Sequence, residues 1–288
     1  MDRVPVTERV HPEGPGLERL GTLRLLQALH AGDREAVRAV SRALPSLARL
    51  ADEAAAVLSA AGRLVYAGAG TSGRLAALDA AECPPTFGVA PSRVVALVAG
   101  GAAALRRAVE GAEDDRAAGR QAVRRAGLGR RDLLVAVSAS GRTPFVRAAL
   151  AEARARGART ALLTSNPSAR GAADRLVVLD TGPERVAGST RMKAGTAAKM
   201  ALGLLSTAAF VRLGAVRGGR MAALHATSAK LRERAVRDVA ALLGLARVEA
   251  RRALERAGWE VAAVLADRTP AVRSTSRARA RGGSRNGS

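Results

Sequence analysis

LVYAGAGTSGRLAALDAAECPPTFG, residues 64–88, is the stretch whose reading decides the fold. Its first four residues, Leu64-Val65-Tyr66-Ala67, are a short apolar run that reads as a buried strand. A turn of glycines and hydroxyls follows (Gly68, Gly70, Thr71, Ser72, Gly73), and then an alanine-rich segment that predicts a helix over 74–81. A strand running through small residues into a helix start leaves backbone N–H groups unpaired and pointing one way, which suits a phosphate. Glycine lets the backbone approach the ligand, and Thr71 and Ser72 add hydroxyl donors. Glu82 stands near the far end of the helix, and Cys83-Pro84-Pro85 is expected to stop it. A nucleotide reading is set aside: no Lys-Ser/Thr pair follows the glycines, and no acid closes a second strand to meet a ribose.

Outward from this unit, apolar runs at 94–98, 133–137, 160–163 and 176–179 predict further strands. Helical patterns lie between them near 102–109, 144–156 and 168–173. Continuously apolar strands separated by helices imply an α/β fold, a parallel sheet with helices on both faces. Its ligand belongs at the carboxyl ends of the strands, where the turns after Ala67 and Val137 fall. Residues 1–60 read as an N-terminal helical segment packing on the core, broken at Gly32-Asp33, where Asp33 is expected to cap a second helix. The sheet domain is assigned to 61–215, a C-terminal helical region to 216–267, and a basic, disordered tail to 268–288.

Composition narrows the function classes. A hydrophobic share of 48% over 288 residues supports a substantial core. The single cysteine excludes a disulfide framework, and Cys83 has no Cys or His spaced to share a metal, so it reads as a packing residue. No apolar segment of spanning length is evident, which leaves no expected membrane contact and the cytoplasm as the expected location. The net charge of +22 invites a nucleic-acid reading. Nearly all of it is arginine, however: Lys193, Lys199 and Lys230 are the only lysines, the pattern of a GC-rich genome. With 2% aromatics there is no stacking platform for single strands, so no specific nucleic-acid partner is expected.

A second turn, Ser138-Ala139-Ser140-Gly141-Arg142-Thr143-Pro144, repeats the chemistry of the first, with Pro144 suited to the first turn of a helix. Together with VEGAEDD (109–115), SASGRTPFV (138–146), TSNP (164–167) and GSTRMKAGTAAKM (188–200), in this order and spacing, residues 64–88 resemble the N-acetylmuramic acid 6-phosphate etherases, bacterial enzymes built on a sugar-isomerase (SIS) domain. The resemblance runs from about Thr7-Glu8 to about Ala235.

That resemblance implies roles. The turn at Ser138, Ser140, Gly141 and Thr143 is expected to hold the phosphate of a sugar phosphate, with Thr71 and Ser72 beside it. Glu82, the glutamate of ECPPTFG, matches the family's proton donor, and Glu113, the second glutamate of EGAEDD, its other catalytic residue and the candidate base. Ser189 reads as part of a helix cap, and Lys193 as a substrate contact or as part of a solvated helix face. A homodimer and no cofactor are expected, with a small-molecule sugar phosphate as the partner. Departures from the family pattern stand at Ala81, where Ser is usual, and at Gly203, Arg217, Gly219, Ala223 and Ser228, in place of Asn, Tyr, Asn, Asp and Asn. A non-enzymatic sugar-phosphate sensor and a sugar-phosphate isomerase remain alternatives. The retention of both glutamates argues against the sensor.

Overall fold

Residues 4–169, 171 and 173–267 are described by a computed structural model. The apolar run at 64 forms β1 (Leu64–Gly68), and its side chains alternate between two cores. Leu64 and Tyr66 enter one hydrophobic cluster, while Val65 and Ala67 enter the other. β3 (Leu133–Val137) and β4 (Arg159–Thr164) alternate in the same way, with Leu133, Val135 and Leu163 on one side and Leu134, Ala136 and Leu162 on the other. Strands buried on both faces read as continuous apolar runs because both sets of side chains must be apolar. With β2 (Val94–Val98) and β5 (Arg175–Val178) they form a five-stranded sheet of order β2-β1-β3-β4-β5, parallel throughout.

One face is covered by α1 (Thr22–Ser59), α2 (Gly70–Phe87) and α5 (Lys193–Arg212). The other is covered by α3 (Arg116–Arg125) and α4 (Pro144–Ala155). Behind α2, the buried Tyr66 hydroxyl donates to Asp79 Oδ2 (2.8 Å) and Ser206 Oγ donates to Asp79 Oδ1 (3.0 Å), joining β1, α2 and α5. α5 is long and apolar enough to cross a membrane by length and composition, but Leu202, Leu205 and Phe210 bury it as a core helix. The chain leaves β1 for one edge of the sheet and returns to pair β3 on its other side. The reversal of strand order opens a crevice between the carboxyl ends of β1 and β3.

Several expectations are corrected. α2 begins at Gly70 rather than 74 and continues through Pro84-Pro85 to Phe87. Proline's φ is helical, so the backbone can continue, although each proline lacks an N–H for the carbonyl four residues back and crowds it with its ring. The helix stops instead at Gly88, left-handed at φ 65°, whose N–H reaches Pro84 O at 2.9 Å. A Cβ there would stand 1.7 Å from Ala223 O. α1 runs unbroken through Gly32-Asp33, because Gly32 serves close packing: a Cβ would lie 3.0 Å from Lys193 Cδ.

Residues 102–109 give only a short 3-10 helix, Gly101–Leu105, and the described residues of 168–173 contain no helix. α3 was not foreseen; Asp115 caps it, accepting from Ala118 N at 2.8 Å. Ser189-Thr190 does not cap α5. The fully buried Glu184 does so from the preceding loop, accepting from Lys193 N and Ala194 N at 3.0 Å each. Burial pushes the Glu184 carboxyl up, and these two N–H bonds work against that rise.

After α5 the expected run of helices is interrupted by a hairpin, Val216–Arg217 against Arg220–Met221. Gly218 and Gly219 form its two-residue turn at φ 52° and 71°, a conformation in which Gly serves as well as Asn. The chain divides into two compact units between His225 and Ala226. The second holds α6 (Ala229–Leu243), α7 (Arg247–Arg256) and α8 (Val261–Asp267). Ser228 caps α6 as Asn would, accepting from Leu231 N, and Glu233 binds Arg247 and Arg251 of α7. The tail at 268–288 lies outside the described residues.

Candidate functional site

The crevice is built from two turns brought side by side by the pairing of Gly68 with Val137. In the first, Gly68 and Gly73 touch backbone to backbone. A Cβ on Gly68 would meet Gly73 N at 2.8 Å, and one on Gly73 would meet Gly68 O at 2.7 Å. This contact folds the chain directly from strand into helix. α2 has no side-chain cap, and the first N–H groups of a helix have no acceptor within it. Thr71 and Ser72 therefore sit in the open first turn of α2, where the helix dipole favours an anion.

The second turn is held rigidly. Gly141, at φ 67°, donates its N–H to Ser138 O and Ser138 Oγ at 3.1 Å each, and its Cα faces Ala169 so closely that a Cβ would stand 2.5 Å from that methyl. Ser138 Oγ and Thr143 Oγ1 lie 2.8 Å apart, and Arg142 N donates to Ser140 Oγ (3.1 Å). The end of β4 locks the turn from behind: Thr164 Oγ1 donates to Ala139 O (3.1 Å), and Asn166 Nδ2 donates to Ser140 O (2.8 Å). The oxygens are thereby held in place, Ser140 keeps its O–H for an anion, and of the Ser138–Thr143 pair one O–H is spent on the other hydroxyl and one is left to donate.

Between the turns lies a cavity of about 400 Å³. Thr71, Ser72, Glu113, Ser138, Ser140 and Thr143 all line it. Glu113 arrives on the loop before α3, which is tied to the start of α4 by Phe145 N donating to Glu113 O at 2.9 Å. Among the described residues no three His, Cys, Asp or Glu side chains gather in a way that would hold a metal.

The remaining sequence-derived residues fall outside the cavity. Gly141 is buried, and its N–H is spent within the turn. Ser189 does not line the cavity, although its neighbours Gly188 and Thr190 do. Lys193 is neither a lining residue nor solvated. Its side chain, 2% exposed, crosses Gly32 to pair with Glu35 and donates to Pro183 O at 2.7 Å. Burial alone would raise the Glu35 carboxyl, but the bond from Lys193 and the charge of Arg185 outweigh it and lower it. Glu82 is exposed on α2, ten residues past Ser72 and so about 15 Å along the helix from the cavity. Cys83 is buried, and burial pushes its thiol up to about 12, which makes it a packing residue.

Glu8, Asp114, Arg142 and Gly188 also line the cavity without having been singled out from sequence, as does Thr190, which was read only as part of a helix cap. Glu8 comes from the N-terminal segment, where Gly188 N donates to Thr7 O (3.0 Å). A Cβ on Gly188 would lie 2.8 Å from Glu8 Oε2, so glycine there admits the carboxylate. The only sequence signal for Glu8 was its place at the start of the motif series. Arg142 lay in plain view inside the second turn.

A family model described as the glucokinase regulatory protein N-terminal SIS domain matches residues 46–154. The N-acetylmuramic acid 6-phosphate etherase of Deinococcus radiodurans is 49% identical over 261 residues, covering 90% of this chain and 86% of that one. The etherase of Serratia proteamaculans is 46% identical over 258 residues, covering 89% and 87%. A phosphoheptose isomerase structure from Francisella tularensis aligns with 67% of this chain and 100% of its own, at 16% identity and a TM-score of 0.49. With close to half of its residues identical over nearly all of its length, the chain belongs to the N-acetylmuramic acid 6-phosphate etherase family.

Proposed function

We propose that the protein is a carbon–oxygen lyase that cleaves the D-lactyl ether of N-acetylmuramic acid 6-phosphate, giving N-acetylglucosamine 6-phosphate and D-lactate, in cytoplasmic cell-wall recycling. The observation that carries this reading is the meeting of Glu113 with the hydroxyl-rich turn in one cavity. In the open-chain sugar the aldehyde at C1 acidifies the proton on C2. Glu113 takes that proton, the electron pair forms the C2–C3 double bond, and the C3–O bond breaks. Glu82 gives its proton to the departing lactate oxygen and then activates the water that adds back at C3, with a proton returning to C2. Ser138, Ser140, Thr143, Thr71 and Ser72 hold the phosphate.

About 15 Å of helix separates Glu82 from its own cavity, and this supports a homodimer in which Glu82 serves the partner's cavity. The exposed Leu78, one turn earlier on α2, adds apolar surface on the same stretch of helix.

The test is release of D-lactate from N-acetylmuramic acid 6-phosphate by the purified protein, together with exchange of the C2 hydrogen in heavy water. Glu82→Gln should lower lactate release by roughly 10²–10⁴-fold while exchange continues. Glu113→Gln should stop both. The opposite pattern would swap the two roles, and full release by both variants would remove these residues from the mechanism. The second reading, a non-enzymatic sugar-phosphate sensor, is favoured by the match of 46–154 to the regulatory-protein domain. Firm binding without turnover by the unaltered protein would select it.

A further inference from the structure

Resting on that reading, we infer that Arg142 recognises the lactyl carboxylate and is the residue that separates the ether substrate from its carboxylate-free product. The substrate carries two anions, a phosphate on C6 and a carboxylate reached through the ether on C3, and a site for the intact molecule must receive both. The cavity offers them unequal surroundings. Around the phosphate cradle the donors are neutral: Ser138 is 2% exposed, Ser140 and Thr143 are half-buried, and the open first turn of α2 lies beside them. Arg142 is exposed while its neighbours in the same turn are not, so the turn meets both the cavity and solvent at this residue.

Its backbone is already committed to the floor, with N–H donating to Ser140 Oγ (3.1 Å), which fixes where the side chain starts. Among the described residues that line the cavity, Arg142 is the only cation, set among the carboxylates of Glu8, Glu113 and Asp114. A second substrate anion entering among those carboxylates is repelled unless it meets the guanidinium, whose planar fork matches a carboxylate at two points. On the proposed reading the hydroxyls of the turn hold the phosphate, and they select for it without reference to the ether. Arg142 thus adds the contact that N-acetylglucosamine 6-phosphate, lacking the lactyl group, cannot use. The product is therefore held less firmly than the substrate, which favours its release.

Two constants separate this role from phosphate binding: the KM for N-acetylmuramic acid 6-phosphate in lactate release, and the inhibition constant of N-acetylglucosamine 6-phosphate. Arg142→Gln should raise the KM roughly ten- to hundredfold, the loss expected of a charge-assisted pair. Its inhibition constant for the product should stay within about twofold, which also reports that the variant is folded. Arg142→Lys should recover part of the KM, since it keeps the charge but not the fork. Equal weakening of substrate and product would make Arg142 a phosphate ligand and overturn the assignment. An unchanged KM in Arg142→Gln would remove it from the substrate altogether. Absence of lactate release by the unaltered protein would instead overturn the etherase reading on which this one rests.

Discussion

At the scale of single residues, the cavity depends on side chains and glycines whose roles are set by what lies opposite them. Asp132 shows the same logic away from the site. It is 5% exposed and accepts from Arg63 N (3.0 Å), Arg63 Nη2 (2.7 Å) and Gly129 N (3.0 Å), tying the start of β1 to the loop before β3. Burial alone would raise its carboxyl, but the bonds from Arg63 and Gly129 outweigh that and hold it below the usual aspartate range. A depressed pKa means that the folded protein binds the proton less readily than the unfolded chain. The stabilisation is therefore complete above the unfolded value of about 4 and is lost as pH falls through the lowered folded value. Asp132→Asn should cost about 3 kcal/mol at neutral pH, because it leaves Arg63 without its counter-charge. Urea unfolding followed from neutral pH down to pH 3 should show the variant's deficit shrinking in acid. A constant deficit would assign the effect to lost hydrogen bonds rather than to charge.

At the scale of elements, glycines inside helices divide into two kinds that sequence does not distinguish. Gly119 of α3 faces the backbone of α4: a Cβ would stand 2.3 Å from Phe145 O, and Phe145 N is the donor that holds the Glu113 loop. Gly203 of α5 has nothing within 4 Å of its would-be Cβ. Gly119→Ala should destabilise by about 1–3 kcal/mol through overpacking and, by displacing Glu113, lower kcat as well. Gly203→Ala should stabilise by about 0.5–1 kcal/mol through helix propensity alone. Denaturant midpoints for the two variants test both signs, and an equal effect of the two would refute the packing argument. Element types were largely legible from local pattern: all five strands of the main sheet were read from apolar runs, within a residue or two of their ends. The misses have local causes. Glycine at 32 looked like a break because its packing partner, Lys193, is 161 residues away, and Pro84-Pro85 looked like a stop because the true cap is Gly88.

At the scale of the whole molecule, the two glutamates lie apart within one chain, and a dimer is the proposed means of joining them. A mixing experiment tests this directly. Chains carrying Glu82→Gln and chains carrying Glu113→Gln are each close to inactive alone. If Glu82 serves the partner's cavity, every mixed dimer contains one site with both glutamates. Random reassociation of equal amounts should then restore about a quarter of the unaltered activity, since half of the dimers are mixed and one site in two is intact. Glutamates acting within one chain would give no recovery on mixing, and that result would overturn the shared-site reading.

The sequence by itself determined the α/β class, the two hydroxyl-rich turns at the strand ends and the family. Each of these rests on short-range pattern: runs of apolar residues, glycine spacing and contiguous motifs. Only the tertiary structure decided which residues meet. It carried Glu8 from the N-terminus to Gly188, buried Lys193 against Glu35 instead of in the cavity, and gave the capping of α5 to Glu184 rather than Ser189-Thr190. For Lys193 and Glu184, both buried, the physical reason is the same. A buried charge must find its partner wherever the fold brings one within reach, and that distance in space has no counterpart in distance along the chain.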